Sequence, residues 1–333
     1  MMMEFFKEIK FDLILFLLFI TGIVFIYASY AWFQSSLDVK FDSIKIKAAT
    51  DNNLSISLDG IDWGNSISIS KENIIDNLNN SYPNHTNRWA GQLTTVSTVG
   101  MLESNEGKFS VFSNKSSFVR NDKNKFAITS VLNDESKSST RSEYLAFDIF
   151  LKNGSNSPYS ENLFIKNWDS IFSVKDMDNA FILRGVRFGM TYINSTPSSS
   201  NIITVQNMIC PQNGCKQFIF EPDSTHTQNT IDFLKLNNVD VDVNRKMITY
   251  GIINEANRVN VWTGMDGSPF DIDYSIFSLQ STTTDLSQPI FQIPSGISKY
   301  RIYIWLEGQD ADIIKFSSPG YKFNFNLSFE KER

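Results

Sequence analysis

Histidine and cysteine are nearly absent from this chain: two of each in 333 residues. That scarcity removes most metal and nucleophile chemistry. His85 and His226 stand far apart, so no H-E-x-x-H zinc helix forms. There is no G-x-S-x-G elbow, no Cys/His pair at a catalytic spacing, no phosphate-binding glycine loop and no dinucleotide fingerprint. Lys and Arg form no cluster of the kind that marks a phosphate-backbone surface, and the net charge is −6. Nucleic acid, which needs a basic surface against its phosphates, is therefore not an expected partner. Internal repeats are also lacking. Two carboxylates would suffice for a glycosidase, but nothing selects a pair.

What is present begins with one long apolar run. Leu13 to Phe33 carries no charge. A bilayer core needs about 20 apolar residues in a helix, so this segment is long enough for one anchor spanning a lipid bilayer. Its end, Ala28-Ser29-Tyr30-Ala31, is also a small-x-small cleavage pattern, with Ala31–Trp32 as the candidate site for a signal peptidase. Signal peptide and retained anchor both remain open, and a buried core helix is the bland alternative. Lys7 and Lys10 precede the run and put the N-terminus in the cytoplasm before any cleavage. The expected division is residues 1–33 as signal peptide or single transmembrane anchor and 34–333 as an extracellular domain. The expected location is the cell surface or the medium.

The body alternates. Tyr321, Phe323, Phe325, Leu327 and Phe329 share one face, with Lys322, Asn324, Asn326, Ser328 and Glu330 on the other. Period two predicts a half-buried strand. Tyr300, Ile302, Ile304 and Leu306 alternate with Arg301, Tyr303 and Trp305, which predicts a central strand apolar on both faces. Leu145, Phe147, Ile149 and Leu151 form a third stripe, ended by the turn-forming Lys152-Asn153-Gly154-Ser155-Asn156. Arg184, Val186, Phe188, Met190 and Tyr192 form a fourth. Shorter strands are expected at 126–132, 202–205, 217–220 and 247–253. In the first strand, Leu37 to Ala48, the phase slips at Asp42-Ser43, which predicts a bulge or a bend. Helices are few: Ser70 is placed as the cap of a short one presenting Ile74, Ile75 and Leu78, and 230–236 offers another turn or two. The polar tracts 79–87, 134–142, 196–201 and 281–288 read as exposed loops. The expected fold is mainly β, a jelly-roll-like antiparallel β-sandwich with elaborated loops, preceded by one N-terminal hydrophobic helix.

Cys210 and Cys215, in ICPQNGC, favour a local disulfide outside the cytosol, over a redox pair or half a metal site. No cofactor is expected. Calcium has one weak candidate set in Glu307, Asp310 and Asp312, for which a solvated polar loop is the plainer reading. Asp240, Asp242 and Asn244 fail the EF-hand pattern at Arg245 and Gly251, and Asp271 with Asp273 carries less weight still.

Several segments resemble the TasA/camelysin-like family of bacterial surface and biofilm-fibre proteins and its uncharacterised relatives. They are the junction Ala28-Ser29-Tyr30-Ala31-Trp32-Phe33, the first strand Leu37 to Ala48, YLAFDIFLKNGS, Ile304-Trp305-Leu306-Glu307-Gly308-Gln309-Asp310-Ala311-Asp312, and the closing FNFNLSFE. The resemblance implies a jelly-roll-like sandwich, export through a signal peptide cut by a dedicated peptidase, and assembly by strand addition to copies of itself or related subunits. This chain is longer, has the Cys210–Cys215 loop, and carries an apolar run long enough to stay as an anchor. No residue matches a metallopeptidase motif.

Two functions compete as expectations, both non-enzymatic. A matrix or fibre subunit requires the segment Trp32 to Ala48 to be an edge or donated strand. A membrane-anchored monomeric binding module for glycan or protein would use exposed aromatics near Trp63, Trp89 or Trp262. An extracellular hydrolase is a distant third.

Overall fold

Among the described residues of the computed structural model, fourteen strands form two stacked sheets. The structure describes residues 39–49, 53–98, 109–118, 126–134, 142–155, 157–174, 182–223, 225, 228, 232, 283–307 and 321–332. The apolar run Leu13–Phe33 and the Ala31–Trp32 junction lie outside these residues, as do the expected strand at 247–253 and nearly all of the turn at 230–236. Among the described residues, no helix is long and apolar enough to cross a membrane.

The strands are β1 (Lys40–Ala48), β2 (Leu54–Ser57), β3 (Ser66–Ser70), β4 (Thr95–Thr98), β5 (Ser110–Phe118), β6 (Phe126–Asp134), β7 (Tyr144–Asn153), β8 (Glu161–Ile165), β9 (Phe172–Val174), β10 (Val186–Thr196), β11 (Lys216–Phe220), β12 (Phe291–Ile293), β13 (Gly296–Glu307) and β14 (Lys322–Glu332). The first sheet runs β12-β8-β14-β1-β3, with β9 also on β14. The second runs β11-β10-β13-β7-β2, and β4-β5-β6 continue from the far end of β13. Most pairings are antiparallel, as expected. Two are parallel: β1 on β14, and a two-residue contact of β4 with β13. No hairpin can join parallel neighbours, and none has to join β1 to β14, because the body of the chain lies between them.

The apolar stripes read from the sequence meet between the sheets. Phe323, Phe325, Leu327 and Phe329 of β14 face Leu145, Phe147, Ile149 and Leu151 of β7, together with the inward residues of β10 and β13. The rings of Phe188 and Phe325 touch across the gap at 5.5 Å between centroids. Each such fully buried side chain contributes about 1.5–3 kcal/mol. Strand β13 is buried at every residue and is central, between β10 and β7. It begins at Gly296, with φ +114°, where an added Cβ would lie 2.4 Å from the Thr196 carbonyl oxygen, so only glycine fits.

The phase slip in β1 is a bulge. Phe41 pairs with Phe323 and Ser43 with Asn324, leaving Asp42 as the extra residue. Val39 and Phe41 before it, and Ile44, Ile46 and Ala48 after it, therefore all face the core.

Three local expectations are corrected. Ile202–Val205 is no strand but the start of helix α3 (Ile202–Gln206). Asn201 caps it, its side chain accepting from the Thr204 N–H, and this cap overrides the β-branched run. Ser70 is the last residue of β3 and no cap; the helix behind it, α1 (Ile74–Asn79), starts after Asn73 and buries Ile74 and Leu78 while Ile75 is exposed. Arg184 lies in a short helix, α2 (Ile182–Gly185), ahead of β10.

Candidate functional site

Alternation sends one face of the second sheet away from the sandwich core, yet that outer face is buried too. Residues 58–92 and the segment from α3 through the disulfide cover part of it. The tract 79–87, expected as an exposed loop, supplies Tyr82 and Asn87 to this covered layer.

Beneath it lies a charge network. Asp148 of β7 accepts from Arg301 Nη1 at 2.9 Å and from the Tyr82 hydroxyl, and Lys299 Nζ stands 3.5 Å away. Arg301 also donates to the Tyr303 hydroxyl and the Thr86 carbonyl, and Lys299 to the Gln206 carbonyl. Gln206 in turn holds the Asp59 carbonyl at 2.7 Å. Burial pushes the Asp148 carboxyl up. The Arg301 and Lys299 charges, with hydrogen bonds from Tyr82 and Arg301, outweigh burial and hold it below its ordinary value. Burial, then the Asp148 charge, pushes the Tyr82 phenol up, so it stays a donor. His85 packs edge-on to Tyr82, and its Nδ1 accepts from the Asn87 N–H. Burial lowers its pKa, helped by Arg301 and Arg88 and opposed by an Asn79 backbone hydrogen bond and Asp148. The network ties three loops to two central strands.

A second cluster closes the core at the end where β7 stops. Lys331 continues the core-facing stripe of β14 one step past Phe329. Glu161 starts the matching stripe of β8. Lys331 Nζ is 2.7 Å from Glu161 Oε2 and 2.7 Å from Asn153 Oδ1. Asn153 Nδ2 donates to the same Glu161 Oε2 at 2.9 Å, and Asn153 Oδ1 accepts from the Ser155 N–H at 3.0 Å. All three side chains belong to buried residues. No sequence motif joins residues this far apart. The local signal was a lysine and a glutamate at positions whose parity faces the core.

Arg187 and Glu221 form a buried pair at 3.1 Å. Cys210 and Cys215 are joined as a disulfide. Of the calcium candidates, Glu307 is the fully buried last residue of β13 and accepts from the Trp305 indole at 3.3 Å. Asp310 and Asp312 lie outside the described residues, as do His226, Asp240, Asp242, Asn244, Asp271 and Asp273. Among the described residues, no group of three or more His, Cys, Asp or Glu side chains could hold a metal ion. Trp89 is no surface aromatic: it is buried against Phe41. Trp63 is half-buried beneath Lys152, and Trp262 is outside the described residues. An open cleft of about 450 Å³ between residues 58–67 and α1 is lined by Leu58, Ile67, Asp59, Asp62 and Asp76. Asp59 Oδ1 there is occupied by the Ser57 hydroxyl and the N–H groups of Ile61 and Asp62.

Fold and site together define a two-sheet β-sandwich stapled by buried polar clusters and one disulfide. The chain matches no protein-family model, no curated protein and no solved structure.

Proposed function

We propose that this is an exported, non-enzymatic surface protein: a self-contained β-sandwich module held at the bilayer by Leu13–Phe33 or released by cleavage at Ala31–Trp32. The observation that carries this reading over a strand-donating fibre subunit is the position of β1. It is hydrogen-bonded on both sides within its own chain, to β14 over eight registered pairs and to β3 over five. A strand so placed is not an edge, and donating it would break both ladders. The Cys210–Cys215 disulfide fits an oxidising compartment, and the resemblance to TasA/camelysin-like proteins also favours export. The proposed partners are the lipid bilayer and a signal peptidase.

The test is expression of the full chain in a bacterial host, followed by protease added to intact cells and sedimentation of the solubilised protein. The reading expects the body to be protease-accessible from outside and monomeric at all concentrations tested. A body shielded in the cytoplasm contradicts export, and concentration-dependent polymers contradict the self-contained module.

A further inference from the structure

The cluster of Lys331, Asn153 and Glu161 holds an amine, a primary amide and a carboxylate in mutual contact, closed off from water. The geometry points to a covalent modification site: an intramolecular amide bond between Lys331 Nζ and Asn153 Cγ, formed with Glu161 as the catalytic residue.

Proximity carries the case. Lys331 Nζ is 2.7 Å from Asn153 Oδ1. It therefore lies no more than about 4 Å from Cγ, one C=O bond beyond that oxygen, which is close to attack distance. The fold holds it there from two sheets: Asn153 ends β7, Lys331 is near the end of β14, and Glu161 on β8 lies diagonally across from Lys331, which registers with Leu163. Leu151, Leu163, Ile293 and Phe329, all essentially inaccessible, belong to the core beside them. Confining both reactants removes the entropic cost of bringing them together.

Glu161 is placed for both proton transfers. Its Oε2 accepts from the nucleophile, Lys331 Nζ, at 2.7 Å and from the leaving nitrogen, Asn153 Nδ2, at 2.9 Å. Moving a proton from Nζ to Oε2 gives a neutral amine and acid, which also relieves two buried charges. The Nζ lone pair then attacks Cγ. Negative charge develops on Oδ1, where the Ser155 N–H already donates at 3.0 Å. Ser295 holds the same residue from its other side, donating its hydroxyl to the Ser155 carbonyl. Glu161 delivers a proton to Nδ2, the Cγ–Nδ2 bond breaks, and ammonia leaves as Glu161 takes the second Nζ proton. One C–N bond forms, one breaks, one ammonia is released, and nothing is oxidised or reduced.

The link would join residues 178 positions apart and lock the first sheet to the second at that end of the sandwich.

The experiment is intact mass spectrometry of the full chain, disulfide reduced, each form compared with the mass of its own sequence. The wild type is expected to be lighter by one ammonia. Glu161→Gln and Lys331→Met, each checked for strand content by circular dichroism, are expected to keep the full mass. Asn153→Asp is expected to form the same link with loss of one water. A wild type at full mass overturns the proposal. So does ammonia loss in Lys331→Met, which would report Asn153 closing a ring onto the Gly154 nitrogen. Ammonia loss in Glu161→Gln overturns the role of Glu161.

Discussion

Among the described residues, two buried charge clusters flank β7, one on each of its faces, and they differ in their third partner. Around Asp148 a single carboxylate meets two cations, and the remaining donors end on carbonyl and hydroxyl oxygens. The carbonyls met there by Lys299 and Arg301 belong to backbone peptides, where attack would cut the chain instead of releasing ammonia, and a guanidinium is no nucleophile. Around Lys331 the carboxylate meets one amine, and the third member is a side-chain amide. Buried ion pairs give modest net stability because desolvation offsets attraction. The outer cluster accepts that compromise and ties loops to strands. The inner one has an exit from it: an amide bond carries no charge.

Breaking each cluster tests the contrast. Glu161→Gln, left unlinked, loses the closure of a loop spanning 178 positions. By the chain-entropy model that amounts to about 5 kcal/mol, read as a lower urea midpoint. Asp148→Ala strands Arg301 and Lys299 in a buried layer, and removing one partner of such a group costs about 3–5 kcal/mol. The same carboxylate adds an acid response. Its folded pKa is depressed, so its contribution is complete above the unfolded value near pH 4 and is lost as pH falls through the folded value. Wild type is therefore expected to lose stability more steeply than Asp148→Asn below about pH 4, measured as Tm against pH. The disulfide joins residues five apart, so Cys210→Ser with Cys215→Ser costs about 2 kcal/mol by the same model.

The smallest effect is at His85. Its folded pKa is lowered, so the unfolded chain binds the extra proton first. Stability falls as pH drops below the unfolded value of about 6.5. His85→Gln is expected to flatten that slope in a urea series from pH 7 to 5.

What was legible in the sequence follows from range. Period-two stripes in β7, β10, β13 and β14 are local, and they predicted strands, core faces and the central place of β13. The bulge at Asp42 was legible because a phase slip needs only neighbouring residues. Ile202–Val205 was misread because β-branching was weighed without the Asn201 cap. Tyr82 and Asn87 sit in a polar tract whose burial depends on Asp148 and Arg301, far along the chain. The position of β1 between β14 and β3 was not legible either, since pairing partners leave no mark on a strand's own alternation. The Lys331 cluster was hidden twice: its members come from three strands, and Lys331 stands beyond Phe329, where the apolar stripe ends.

The most direct test of the central contrast is a peptide map of the reduced wild-type protein. The account predicts one branched peptide in which the segment containing Asn153 is joined to the segment containing Lys331, with fragment ions placing the bond between those two side chains. Recovery of the two segments only as separate linear peptides, with Asn153 and Lys331 unmodified, would contradict it and leave both clusters as ion pairs of one kind.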